Sequence, residues 1–140
     1  MNKPIYTCLW FKDEAKRAAH FYCSIFKNSK IIKETPIAVK FKLNGKLFIA
    51  LNHNHKFTFN ESVSLVIECN TQEEIDYYWN KLSKRGKQQI GGWLKDKYGV
   101  SWQIVPTILL KMISDPEKLF KLSNVFGKMK KPIIKKLMDV

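Results

Sequence analysis

The residues able to do chemistry in this chain are few and scattered. His53 and His55 are two apart, which puts both on one side of an extended segment, a spacing from which a metal site can start. No third or fourth strong ligand follows nearby, and Asn52 and Asn54 would add only weak oxygens, so the pair reads as two solvated loop histidines. His20 lies beside Phe21 in a helical pattern and reads as a partly exposed packing histidine. Cys8, Cys23 and Cys69 form an odd set without CxxC spacing, which argues against a disulfide framework or a zinc knuckle. They fall in apolar strand or helix patterns and read as buried, reduced thiols. Ser64 and Ser101 have no histidine partner in expected reach, and Asp96 reads as a turn residue, so no set for covalent catalysis is present. Gly91-Gly92 precedes a short strand and not a helix, and no Gly-x-Gly run follows a strand, which argues against a nucleotide-like cofactor. The expectation is no catalytic residue, no bound metal and no cofactor.

Charge is the strongest compositional signal. The formal net charge is +13, with 11 Lys/Arg against 3 Asp/Glu in residues 1–57, 6 against 6 in 58–105, and 8 against 3 in 106–140. Such a field favours anionic partners of any kind. Lys128, Lys130, Lys131, Lys135 and Lys136 surround Pro132, with Met129, Ile133 and Ile134 between them. Nucleic-acid binding through phosphate contacts is one use of such a patch. No nucleic-acid motif and no aromatic stacking series accompanies it. The preferred reading is a solvated basic face whose apolar stripe docks on its own domain or on a partner subunit.

The elements that must position these residues come from periodicity. Residues 4–11 form an apolar strand, and 13–26 a helix with Ala15, Ala18, Ala19, Tyr22 and Phe26 inward and Asp13 as N-cap. Strands follow at 30–34, 37–43 and 46–51, the last two joined by the hairpin signal Asn44-Gly45. After a polar loop from Asn52 to Asn60 the order repeats. Residues 62–69 form a strand. A helix capped by Asn70 or Thr71 carries Glu73 and Glu74 in its first turn and ends at Arg85-Gly86. Strands then follow at 88–90, 93–97 and 101–105. Residues 107–138 are helical in pattern, punctuated by Pro116 and Pro132. The hairpins Asn44–Leu51 and Tyr98–Val105 also match in kind, each with a turn glycine, an aromatic three residues on, and then aliphatics. The fold class is therefore α+β: two βαβββ modules at 1–57 and 58–106, and a C-terminal helical segment at 107–140, integrated in one domain. A single such sheet leaves one face uncovered. Two uncovered faces brought together would enclose a cavity, the natural ligand site of this architecture.

Leu9-Trp10-Phe11 ahead of Ala18-Ala19-His20-Phe21-Tyr22, then Phe48–Asn52, Thr71–Asp76, Gly92–Asp96 and Gly99–Pro106, resemble the PhnB-like branch of the vicinal oxygen chelate (glyoxalase, bleomycin-resistance, dioxygenase) superfamily. The resemblance runs over nearly the whole chain and extends to a terminal helix containing Met129-Lys130-Lys131. It implies paired βαβββ modules, usually in a homodimer. Between Glu34 and Ala38 the chain lacks the longer Gly/Pro-rich loop that often borders the cavity in that branch. Many members are labelled demethylubiquinone methyltransferases, but no cofactor motif supports that chemistry here. Metal-dependent members carry His, Glu or Gln on the first and last strand of each module. Those positions match Thr7, Ala50 (Ile49 if the register slips by one), Ser64 and Gln103, of which only Gln103 is a serious ligand. The expected cavity residues are Thr7, Leu9, Ala50, Asn52, Ser64, Val66, Trp93 and Gln103. The expected function is binding of a small aromatic or amphipathic molecule without a catalytic metal. The alternatives are an enzyme with little or no metal dependence and a nucleic-acid-binding protein. No apolar run reaches about 18 residues, as a membrane span would need. No apolar signal region follows Met1-Asn2-Lys3-Pro4, so the expected location is the cytoplasm.

Overall fold

A computed structural model describes residues 3–140 of the chain. They separate into two compact units, Met1–Phe57 and Thr58–Val140. The first unit contains β1 (Thr7–Phe11), α1 (Ala15–Ile25), β2 (Lys30–Glu34), β3 (Ala38–Leu43) and β4 (Lys46–Asn52). The second contains β5 (Leu65–Cys69), α2 (Gln72–Ser83), β6 (Lys87–Gln88), β7 (Trp93–Lys95) and β8 (Ser101–Pro106). It then continues through α3 (Thr107–Lys111), α4 (Pro116–Phe126) and α5 (Ile134–Met138). The strand orders are β1-β4-β3-β2 and β5-β8-β7-β6, with β1 parallel to β4 and β5 parallel to β8. The same mixed sheet is thus built twice, as the repeated βαβββ order predicts.

In the first unit α1 covers one sheet face. Its Ala15, Ala18, Ala19, Tyr22 and Ile25 are buried against Leu9, Phe11, Val39, Phe41, Leu43, Phe48 and Ala50. Tyr22 stacks on Phe41 and Phe41 on Phe48, with ring centroids 6.4 and 5.5 Å apart. Each fully buried large side chain here contributes about 1.5–3 kcal/mol. The small alanines on α1 let the helix approach the sheet closely enough for those rings to meet. Asn44 and Gly45 both have positive φ, 49° and 80°, as the tight hairpin between β3 and β4 requires.

The start of α1 differs from the expectation. Asp13 is not its cap. Glu14 occupies the N-cap without a side-chain bond, and the Ala15 N–H donates instead to Oδ1 of Asn52, at 2.9 Å, from the far end of β4.

In the second unit α2 begins with a full capping box: the Thr71 hydroxyl accepts from the Glu74 N–H, and the Glu74 carboxylate accepts from the Thr71 N–H. Ile75, Trp79 and Leu82 pack against Leu94, Trp102 and Ile104. Asp96 is the expected turn residue. One of its oxygens accepts from the N–H groups of Tyr98 and Val100, and the other from the Trp102 indole at 2.9 Å. Gly86 is required for a close approach: a Cβ there would stand 2.0 Å from the Lys95 carbonyl oxygen.

The C-terminal segment packs on this unit. Val105 joins Leu109, Leu122 and Leu137 in a buried cluster extended by Met129 and Phe126. The Gly91 and Gly92 N–H groups donate to the Met129 and Lys130 carbonyls, and Gln72 bonds both Pro132 and Ile134. Met129-Lys130-Lys131, expected in a helix, lies in the link between α4 and α5. Pro132 is the reason, because it is buried and offers no N–H with which to continue a helical ladder. Of the apolar residues between the lysines, Met129 packs in this cluster, while Ile133 and Ile134 are half-buried.

Candidate ligand-binding sheet faces

Each sheet has a second face, turned away from α1 or α2, and parity along the strands decides which side chains reach it. In β1 Leu9 and Phe11 point to α1, so Cys8 and Trp10 point away. In β4 Phe48 and Ala50 point to α1, so Leu47, Ile49 and Leu51 point away. The parallel register pairs Cys8 with Ile49 and Trp10 with Leu51. The expected Thr7, Leu9 and Ala50 therefore share the helix-side parity, and Leu9 and Ala50 are core, at 6% and 0% exposure. The register lies one residue along, at Cys8 and Ile49. Asn52 is not available either: besides capping α1, its amide donates to the Pro36 carbonyl at 3.1 Å.

The open face of the first unit carries an aromatic group that the sequence does not reveal. Trp10 is 38% exposed, and His55 lies on it with ring centroids 4.3 Å apart, with Phe57 5.6 Å from the same indole. His55 is fixed by two hydrogen bonds. Its Nδ1 accepts from the Phe57 N–H at 3.1 Å, which leaves Nε2 as the donor to the Trp10 carbonyl at 3.1 Å. It is thus not the solvated loop histidine expected from the sequence, whereas the His53 ring is exposed and bonds the neighbouring Asn54 carbonyl. Cys8 is exposed and not buried as expected, although desolvation by its surroundings still pushes its thiol above the ordinary value. His20 serves structure on the other side of the sheet, where its Nε2 stands 2.6 Å from Glu34.

The four expected positions of the second unit fall together on its open face. Val66, Gln103 and Trp93 are register partners across β5, β8 and β7, and Gln103 donates to the Ser64 hydroxyl at 2.7 Å. Val66 is 56% exposed, and Trp93 and Gln103 are half-buried. This face is polar and largely satisfied from within: Lys95 pairs with Glu61 at 3.1 Å, and Ser101 bonds the Asn60 carbonyl. On the opposite side Cys69 faces α2, and burial, reinforced by Glu74 and Glu68, pushes its thiol up to about 12.

These donors do not fit a divalent transition metal. At the sheet positions facing away from the helices stand a protonated thiol (Cys8), an aliphatic chain (Ile49), a hydroxyl (Ser64) and an amide (Gln103). Such ions want three or four imidazole, carboxylate or thiolate groups. Among the described residues no group of three or more His, Cys, Asp or Glu stands close enough to hold an ion. No helix is long and apolar enough to cross a membrane. Of the five C-terminal lysines, Lys131 is engaged with Asp76 at 2.9 Å, and that contact helps hold the Asp76 carboxyl below its usual range, after the larger effect of Gln72.

Comparison with known proteins agrees with this geometry. The family model for 3-demethylubiquinone-9 3-methyltransferase matches residues 3–105, so the C-terminal helices lie outside it. A PhnB protein from Bacillus cereus is 35% identical, superposes with a TM-score of 0.69, and aligns over 74% of this chain and 99% of its own. The PA1353 protein of Pseudomonas aeruginosa shares 14% identity over 75% of this chain and 98% of its own, at a TM-score of 0.63. The fosfomycin resistance protein FosX from Listeria monocytogenes, solved with Mn(II) and sulfate, shares 14% identity over 80% of this chain and 96% of its own, at 0.60. No curated protein matches the chain.

Proposed function

The chain belongs to the 3-demethylubiquinone-9 3-methyltransferase family, in its PhnB-like branch with the vicinal oxygen chelate fold, and from that premise we propose that it binds a small aromatic or amphipathic molecule on its open sheet faces without a catalytic metal. The observation that carries this reading is the exposed indole of Trp10 with the His55 ring held over it, tilted by 35° at a centroid distance of 4.3 Å. A fixed aromatic stack beside the apolar row Leu47, Ile49 and Leu51 offers a planar ligand dispersion and stacking at little ordering cost. Gln103 and Ser64 supply a polar pair that orients a ligand without activating it. The protein acts as a sequestering or sensing module, a homodimer in the cytoplasm.

The test is fluorescence titration with an anilinonaphthalene sulfonate dye. Trp79 and Trp102 are buried, so quenching by a dye on an open face comes from Trp10 in the first unit or Trp93 in the second, and Trp10→Phe separates the two. Saturable quenching that is lost in Trp10→Phe supports the reading, and quenching unchanged in that variant removes it. Elemental analysis of untagged protein checks the second half: a stoichiometric transition metal would overturn metal-free binding. Sedimentation at micromolar concentration checks the dimer.

A further inference from the structure

Strands β2 and β3 place four lysines in two directly opposed pairs, Lys30 with Lys42 and Lys33 with Lys40. Like charges directly opposite one another across an antiparallel pair destabilise it. Lys40 and Lys42 alternate with the core residues Val39, Phe41 and Leu43, so the register sets both pairs on the face turned away from α1. Among the described residues of this unit no carboxylate pairs with them. The acidic residues of residues 1–57 are Asp13, Glu14 and Glu34. The first two precede α1, and Glu34 is engaged with His20 and Lys16 on the helix side. Lys40 lies over the Tyr6 ring, 5.8 Å from its centroid.

A cavity of about 340 Å³ opens at the first of these pairs, lined by Asn28, Ser29, Lys30, Lys42 and Gly45. Its frame is tied together by backbone and side-chain bonds. Asn28 is held at φ 53°, and its carbonyl accepts from the Gly45 N–H at 3.3 Å. The Ser29 hydroxyl accepts from the Asn44 N–H and donates to the Lys27 carbonyl. The Lys42 carbonyl accepts from the Cys23 thiol at 3.9 Å. The Lys27, Asn28 and Lys42 carbonyl oxygens are thus occupied, and the lining supplies donors in two lysine ammonium groups and the Asn28 amide nitrogen. A compact oxyanion is the ligand that such a lining recognises.

We propose that this cavity, between the end of α1 and the β3–β4 hairpin, is an oxyanion site that takes the phosphate group of a small molecule, held by Lys30, Lys42 and the Asn28 amide. The site stands on its own residues and does not require a ligand on the Trp10 stack.

The experiment is a ¹H–¹⁵N NMR titration of the full chain at low ionic strength. Sodium phosphate and phenyl phosphate are added separately, each against sodium chloride of matched ionic strength. The expected result is a saturable shift of the Asn28, Ser29, Lys30, Lys42 and Gly45 amides with both phosphates and not with chloride. Lys42→Gln should weaken phosphate about tenfold, the usual scale of one charge-assisted hydrogen bond. Lys121→Gln, which removes the same charge from α4, should leave affinity unchanged. Without phosphate, Lys42→Gln should unfold at the same temperature as the parent or a higher one, because repulsion is relieved. Shifts spread over every lysine-bearing segment without saturation would show diffuse screening and overturn the site. So would a folded Lys42→Gln protein with unchanged phosphate affinity. A Trp10→Phe protein that loses dye quenching but keeps these shifts separates this site from the stack.

Discussion

The two units repeat one topology and differ in what they leave on the face away from the helix. In the first that face carries Cys8, Trp10, Ile49 and Leu51 beside opposed lysines, with ring contacts in place of ion pairs. In the second the same parity brings out Val66, Gln103, Trp93 and Ser101, and hydrogen bonds or ion pairs absorb most of the polar groups. A repeated architecture therefore constrains the helix side of each sheet, where packing is exacting, and leaves the other side free to diverge.

The sharpest test of this contrast uses Cys8 and Cys69, which occupy the first strand of each unit. Cys69 has no exposed surface, and with its thiol pushed up to about 12 only about one part in ten thousand is thiolate at pH 8. Alkylation followed by peptide mass spectrometry should label Cys8 in the native protein and Cys69 only after unfolding. Equal labelling would mean that β1 or β5 has the opposite parity.

Stability should divide in the same way. Leu9→Ala should cost about 2–5 kcal/mol in urea unfolding, as buried leucine truncations do, whereas Cys8→Ser should stay within about 0.5 kcal/mol. Comparable losses would return Leu9 to a cavity role.

A third pair compares two amides. Asn52→Ala should cost about 1 kcal/mol by removing the cap of α1. Gln103→Ala should alter dye affinity more than the unfolding midpoint, because its bond to Ser64 lies on a half-buried face. An Asn52→Ala protein of unchanged stability would show that the cap is dispensable.

The smallest effect is electrostatic. The hydrogen bond from His20, with Lys16 nearby, holds the Glu34 carboxyl below its usual range. In the second unit Lys95 and then Gln89 do the same for Glu61. A carboxyl lowered in the folded state contributes stability above its unfolded pKa and loses it as pH falls through the folded value. Glu34→Gln and Glu61→Gln should each flatten the acid-side decline of the unfolding midpoint slightly, and salt should shrink the difference. A steeper decline in either variant would reverse the sign.

Much of the fold was legible because its signals were local: helical spacing of alanines, Asn44-Gly45, and Thr71 three residues before Glu74. In the second unit Ser64 and Gln103 follow from the strand order through the resemblance, while the register that sets Gln103 beside Val66 and Trp93 is visible only in the structure. The first unit was misread by one residue because Leu9-Trp10-Phe11 is apolar throughout and shows no parity. The missing signal stood two strands away. Lys40 and Lys42 alternate plainly with Val39, Phe41 and Leu43, and the Asn44-Gly45 turn carries that parity across to Leu47, Ile49 and Leu51. Asn52 as a cap for Ala15, and His55 against Trp10, join residues 37 and 45 positions apart, and no local pattern encodes such pairings. The C-terminal link was misassigned because helical spacing continued through Met129–Lys131, where the bonds to Gly91 and Gly92 win over a continued helix.

The Asn52 cap has a consequence for synthesis. The first turn of α1 obtains its side-chain acceptor only when a residue 37 positions downstream has left the ribosome and reached the sheet. Until then the exposed N–H groups and the short alanine stripe make this helix a weak element by itself. The last residue of β4 thus ties the start of α1 to the end of its sheet, and this cap is complete only once the whole module has been made.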